Sequence, residues 1–383
     1  MQLPEGFVLS LSKSVKVLFV HHSSTLGGAE LSLADLVTNI SDEIAPVCAV
    51  PVGPLAQYLS SRKIPVAIVP MRPIIKSLNP LYWLMTGFNC LRVMFKLIGI
   101  CRKEKIQVIH ANSLTASIYA APVSFLCRIP MIWHERDLAR HPFLAPLIAR
   151  FAKRIIAISN AVAENLKTQI GDSNKIRMIY NGIDVDRFRQ GAAKFTGLPE
   201  GKRTVLMAAQ FVRWKGHNDF ITMASSVSEK IPDAVFVLAG DKKIHEQQEY
   251  VRELERTIGE RGLTDRFVWT GFVEDMPRLL QNVDCVVLPA VNEPFGRIVI
   301  EAMAAGRPVV SVKSGAVPEI IEGGVSGCLV EPGDCKAMAE SVCRLLRDRA
   351  FAGKIGENGR LRVSQKFTIQ RTVSEFEQML RDI

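Results

Sequence analysis

Much that would mark special chemistry or surroundings is missing from this 383-residue sequence. No two of its eight cysteines stand as C-x-x-C, and no Cys/His group has zinc spacing. A disulfide scaffold and a zinc module are therefore excluded. Cysteines in apolar runs, such as Cys285, read as reduced core residues of a cytosolic protein. Repeats and low-complexity tracts are absent, and 48% apolar with 22% charged residues rules out disordered and fibrous classes. Residues 1–19 lack a basic start followed by an apolar core, so no signal peptide is expected. The longest apolar stretch, residues 78–101, is interrupted by Asn79, Pro80, Asn89, Arg92 and Lys96. A spanning helix needs about 20 mainly apolar residues, so the stretch is a poor one. The second half also lacks surplus positive charge. Residues 1–190 hold 22 Lys/Arg and 12 Asp/Glu, a net of +10, whereas residues 191–383 hold 26 of each. The whole charge excess thus sits in the front half, which is expected to face something anionic.

What is present is a regular alternation. At roughly 150 residues per domain the length suggests two domains. Continuous apolar β-rich runs occur at Val15–His22, Ala45–Val52, Pro65–Pro70, Val108–Asn112, Pro130–Glu135 and Ile155–Ser159. A second set occupies Arg203–Gln210, Ala234–Asp241, Arg266–Phe272, Cys285–Ala290, Pro308–Lys313 and Gly327–Glu331. Such runs read as strands covered on both faces, with helical patterns between them. The expected fold is α/β, with two doubly wound Rossmann-like domains facing each other across a cleft. The boundaries predicted are 1–180, a linker at 181–201, a second domain at 202–367 and a closing helix at 368–383. Ligands of such folds bind beyond the C-terminal ends of strands, so candidate chemistry should follow the strands.

Four motifs do so. Thr25–Glu30 (TLGGAE) places Gly27 and Gly28 before a helix, where the backbone can approach an anion closely. It is not G-x-G-x-x-G, so a dinucleotide is not implied. Glu293-Pro-Phe-Gly-Arg-Ile-Val-Ile-Glu301 follows a strand and places two carboxylates around Gly296. N–H groups near Gly296–Ile298, at a helix start, suit a phosphate. Arg213-Trp-Lys215-Gly216 offers two cations on a loop after a strand. His110 and His134 each close a strand, where a histidine donates to a ligand hydroxyl or shuttles protons, or is simply structural. His21 and His22 are weaker candidates of the same kind.

Together these residues resemble the retaining glycosyltransferases of the GT-B fold, family 4. The segment Glu293–Val310 (EPFGRIVIEAMAAGRPVV) is similar to that family's E-x7-E block. GGAE, IAISNAV (Ile156–Val162), YNGID (Tyr180–Asp184), LAGD (Leu238–Asp241) and SGAVPEII (Ser314–Ile321) follow the family's order along nearly the whole chain. The resemblance implies that Glu293 holds donor-sugar hydroxyls and Glu301 the ribose. It implies that Lys215 neutralises the leaving diphosphate, aided by Phe295, Gly296, Arg297 and Ile298 of the block and by Gly27 and Gly28. His134 matches the histidine near the anomeric carbon, with His110 as second choice. The chain departs from the family pattern G-R-x-x-x-x-K-G at Gln210, where an arginine is usual, and Arg213 is the candidate replacement. Arg297 stands where an apolar residue is commoner, and is assigned to the phosphates or to the acceptor.

The activity so implied is transfer of a sugar, with retention, from a nucleotide-sugar to a glycan or lipid-linked acceptor. No metal and no further cofactor are expected, and a UDP-sugar is favoured over a GDP-sugar. No carboxylate stands where double displacement would need one, so a front-side route is expected. Residues 78–101 carry Leu81, Leu84, Met85, Phe88, Leu91, Phe95 and Ile98 at helical spacing, with Arg92 and Lys96 one turn apart. This is either a core helix with a solvated basic flank or a helix lying on an anionic bilayer on the acceptor side. The second case would place a cytoplasmic enzyme peripherally on the inner leaflet. Nucleic acid is not an expected partner, since no stacking module accompanies the charge. Competing readings are a GT-B epimerase or phosphorylase, or a non-catalytic glycan-binding subunit.

Overall fold

The computed structural model describes residues 14–74, 77–189, 193–242, 244 and 247–383. The residues read for a signal peptide lie mostly outside this range. The chain divides into two units, one ending at Tyr180 and regaining Ile369–Ile383, the other running from Asn181 to Thr368.

Unit 1 alternates strictly. It begins with β1 (Val15–Val20), α1 (Gly28–Asn39), β2 (Ile44–Val50), α2 (Pro54–Ser61) and β3 (Val66–Ile68). It continues through α3 (Pro80–Glu104), β4 (Val108–Ala111), α4 (Leu114–Cys127), β5 (Met131–Glu135), α5 (Leu144–Phe151), β6 (Ala152–Ala157), α6 (Asn160–Ile170) and β7 (Ile176–Met178). All pairings are parallel, in the order β3-β2-β1-β4-β5-β6-β7. The order reverses between β1 and β4, and such a switch point leaves a crevice beyond the strand ends.

Unit 2 opens with α7 (Val185–Arg189) and then β8 (Arg203–Ala208), α8 (His217–Lys230), β9 (Ala234–Ala239), α9 (Gln248–Glu260) and β10 (Phe267–Gly271). There follow α10 (Met276–Gln281), β11 (Cys285–Leu288), α11 (Arg297–Ala304), β12 (Val309–Val312), α12 (Val317–Ile320), β13 (Cys328–Val330), α13 (Cys335–Arg347) and α14 (Arg349–Lys366). The parallel order is β10-β9-β8-β11-β12-β13, with its switch point between β8 and β11. The segment read as a linker contains α7, whose Val185 and Phe188 are buried in unit 2.

Helix α15 (Ile369–Arg381) returns to unit 1. Its Ile369, Val373, Phe376, Met379 and Leu380 pack with Phe19 of β1 and Leu33 and Val37 of α1. The sequence reason is a single apolar stripe at helical spacing, which must be buried against something. Arg381 meets Glu43, and Glu377 accepts the Ser41 N–H at 2.7 Å, so the C-terminal part of the helix is also tied.

Helix α3 is different. Val93, Leu97 and Cys101 alone are buried, while Leu84 is 72% exposed, Phe88 73% and Phe95 67%. Leu81, Met85 and Leu91 are exposed as well, as are Arg92 and Lys96. By length and composition this helix would also pass for a membrane span. The core-helix reading of residues 78–101 therefore fails: the narrow Val93–Leu97–Cys101 seam faces the protein, and the broad apolar face points away.

Candidate active site

The chemistry-bearing residues gather at the two switch points, one in each unit. In unit 2, the loops after β8 and β11 lie against each other. Trp214 accepts the Val291 N–H at 3.1 Å through its carbonyl. Gly216 has φ +80°, and a Cβ there would stand 2.4 Å from the Pro289 carbonyl oxygen. Only glycine permits this approach, and it brings the Lys215 Nζ to 2.7 Å from Glu293 Oε2. Both side chains are largely buried, at 16% and 8% exposure. The Trp214 ring lies under the ammonium, 4.0 Å from it.

A third loop supports this pair. Gly315, at φ +58°, lets the Ser314–Ile321 turn reach the Glu293 main chain, whose carbonyl accepts the Ala316 N–H at 2.9 Å. Asn292 is held in the left-handed region at φ 58°, with its N–H on Ser314 Oγ at 2.8 Å. Phe295 is buried against the Phe367 ring. Gly296, at φ +98°, caps α11 and turns the chain so that Arg297 and Ile298 open the helix. Groups in a first helical turn have no intrahelical acceptor and carry the positive end of the dipole. Within that helix Arg297 Nε lies 2.6 Å from Glu301 Oε1, and both side chains are nearly buried.

Arg213 takes a separate path. Its guanidinium pairs with both carboxylate oxygens of Glu253 on α9, at 3.0 and 2.6 Å, and sits over the Tyr250 ring. The bidentate carboxylate explains why it turns towards α9. The one Asp-x-Asp spacing, Asp184-Val-Asp186, serves α7. Asp184 Oδ1 accepts the Asp186 N–H at 3.1 Å, and Asp186 pairs with Arg189. Among the described residues no group of three or more His, Cys, Asp or Glu is disposed to hold a metal.

In unit 1 the TLGGAE segment starts α1 with Gly27 as cap and Gly28 as first residue. Glu30 folds back to accept the Gly27 N–H at 3.0 Å and lies 2.8 Å from His21 Nε2. Burial alone would push its carboxyl up, but the hydrogen bond from His21 holds it down at about 2. His110 and His134 stand on neighbouring strands with His110 Nε2 3.0 Å from His134 Nδ1. His110 is fully buried between the rings of Phe19 and Phe376. Burial, then the Arg136 charge, lowers His110 to about 3 and His134 well below its usual range. Both are therefore neutral at working pH. Arg92 and Lys96 do not join them, being exposed on α3.

Sequence reasoning missed Asn112, Arg136 and the use made of Glu30. The signal for Glu30 was there: a Glu three residues after a helix cap and before an apolar run is a capping pattern. Glu135 was also missed. It is buried, accepts the N–H groups of Arg136 and Asp137, and is pushed up to about 7 by burial. An unfolded carboxyl titrates near 4.5, so the folded state holds the extra proton between these values. Stability should fall as pH rises from about 4.5 to about 7, on the order of 3 kcal/mol in all. Melting profiles of Glu135→Gln should lack this slope; an identical slope would refute the assignment.

The chain and its fold match known proteins. Two family models cover the chain in succession: Glycosyltransferase Family 4 over residues 26–187, and Glycosyl transferases group 1 over residues 189–362. The fold is GT-B, and the chain is a glycosyltransferase built from these two family domains. The Anabaena protein HepE, solved in complex with UDP-glucose, superposes with a TM-score of 0.84 at 27% identity, over 96% of this chain and 100% of that one. The Staphylococcus aureus capsular polysaccharide biosynthesis glycosyltransferase CapM is 27% identical over 76% of this chain and 81% of its own length. The Escherichia coli UDP-Gal:alpha-D-GlcNAc-diphosphoundecaprenol alpha-1,3-galactosyltransferase is 23% identical over 98% of both.

Proposed function

We propose that the protein transfers a sugar, with retention, from a UDP-sugar to a glycan or lipid-linked acceptor hydroxyl without a metal. The Lys215–Glu293 pair at the β8/β11 switch point carries this reading. A sugar-holding carboxylate and a diphosphate-neutralising cation, fixed 2.7 Å apart, are what the adjoining sugar and diphosphate of a nucleotide-sugar require. The UDP and UDP-glucose bound by HepE, and the UDP-galactose donor in the E. coli relative's name, support the choice of donor.

In this mechanism Lys215 and the first N–H groups of α11 stabilise the charge that grows on the leaving diphosphate. The leaving β-phosphate oxygen takes the acceptor proton, and the acceptor oxygen attacks the same sugar face. Glu293 orients the sugar hydroxyls, Glu301 the ribose, and neutral His134 donates a hydrogen bond near the anomeric carbon. Gly27 and Gly28 allow close backbone approach. The test is a panel of UDP- and GDP-sugars with candidate acceptors in the presence of chelator. UDP release that needs acceptor, and an axial product linkage from an axial donor, are expected. Inversion, or release abolished by chelator, would refute the reading.

We also assign the exposed face of α3 to an anionic membrane surface, on the inner leaflet where a lipid-linked acceptor is met. The exposed Leu84, Phe88 and Phe95 beside Arg92 and Lys96 support it, as does the front-half charge. Replacing Leu84 and Phe88 by Ser should weaken co-sedimentation with anionic vesicles about a hundredfold, from ~3 kcal/mol of lost apolar insertion. Unchanged sedimentation, or equal binding to neutral vesicles, would overturn it.

A further inference from the structure

The His110–His134 contact is ambiguous by itself. Either ring could donate across the 3.0 Å between His110 Nε2 and His134 Nδ1, since each neutral imidazole has one N–H and one bare nitrogen. The two choices give opposite chemistry at the far side of His134. If His134 carries its hydrogen on Nδ1, Nε2 is an acceptor; if not, Nε2–H is a donor.

Arg136 breaks the tie. Its NH2 group lies 3.3 Å from the same His134 Nδ1, and a guanidinium can only donate. A hydrogen on Nδ1 would set donor against donor. We infer that Arg136 is a positioning residue that fixes His134 as its Nε2–H tautomer. His110 then donates through Nε2 to the same Nδ1, leaving its own Nδ1 bare. His134 Nε2 is buried and has no partner among the described residues, which suits a donor kept for a ligand.

Arg136 is itself held in place by a directed chain. Its Nε donates to Asn112 Oδ1 at 2.8 Å, and Asn112 Nδ2 stands 3.1 Å from His21 Nδ1. His21 Nε2 in turn faces the Glu30 carboxylate at 2.8 Å, which only accepts. A carboxylate at one end and a guanidinium at the other leave each intermediate group one orientation. The GGAE turn and the histidine thus belong to one network, all within unit 1. This inference rests on the proposed role of His134 at the donor sugar.

Long-range nitrogen–proton spectra of histidine-labelled protein report each tautomer directly. The wild-type His134, assigned by its loss in His134→Asn, should show hydrogen on Nε2 only. Arg136→Met should show both tautomers, with kcat lowered on the order of tenfold and little change in the donor KM. Arg136→Lys, which keeps a donor-only cation, should retain the Nε2–H form and most of kcat. A wild-type Nδ1–H signal would overturn the inference even if no variant folds. So would a tautomer indifferent to Arg136→Met, whatever its rate. Wild-type protein with the expected tautomer but no transferase activity would instead sink the functional reading and leave the positioning intact.

Discussion

Lys215→Ala should lower kcat by roughly 10²–10³-fold, the loss seen when one preorganised group facing developing charge is removed. Most of that loss belongs in kcat, because the diphosphate bears more charge in the transition state than in the bound donor. The variant has a second consequence that must be separated from the first. Glu293 is 8% exposed and would lose its cation, and breaking a buried pair commonly costs about 3–5 kcal/mol. A lower melting temperature is therefore expected with the lower rate. The double variant Lys215→Ala, Glu293→Gln removes the unpaired charge and should regain much of the stability, but none of the rate. Folded Lys215→Ala with near-normal kcat would end the assignment of the diphosphate to Lys215. Arg213→Ala serves as the contrast. Its guanidinium is occupied by Glu253 on the surface, so its loss should leave kcat within a few-fold.

What was legible in the sequence follows from what is local. Twelve of the strands were readable because each carries a short apolar run, and the central ones are buried on both faces, as Val17–Val20 and Val286–Leu288 are. Strand β7 was not. Ile176–Met178 is an edge strand with one neighbour, and its partly exposed residues carry no apolar run. The short α7 was hidden among turn residues, since Val185 and Phe188 alone supply too little periodicity. For α3 the spacing was right and the facing was open. Apolar residues three and four apart mark a stripe, but nothing local says whether the stripe or its narrow reverse meets the sheet. The E-x7-E block and Lys215 were readable as post-strand residues. Their 2.7 Å contact was not, because it depends on two loops 78 residues apart closing at Gly216 and Pro289. Arg213 looked equivalent to Lys215 in sequence, yet two residues of a single 3-10 turn point differently, one to α9 and one to Glu293.

The same closing of loops makes Gly315→Ala one of the most damaging single methyls expected in unit 2. A Cβ at Gly315 would lie 2.2 Å from the Glu293 carbonyl oxygen and 2.6 Å from its nitrogen. These are main-chain atoms, so no side chain can rotate away. The residue is also at φ +58°, where a non-glycine residue costs about 1 kcal/mol before any contact is counted. The Ala316–Glu293 hydrogen bond must open as the turn retreats. A loss of about 3 kcal/mol or more is expected, which for a unit of this size is a melting shift of roughly 6–12 °C. The rate should suffer independently of the stability. Glu293 would be displaced by the order of 1 Å, and misplacement on that scale can cost about a hundredfold. Gly333→Ala separates strain from clash, for its φ is +81° and nothing stands within 4 Å of the added Cβ. It should pay the conformational cost alone, about 1 kcal/mol, with kcat unchanged. If Gly315→Ala behaved like Gly333→Ala in both melting and rate, the Ser314–Ile321 turn would not be what holds Glu293 against Lys215.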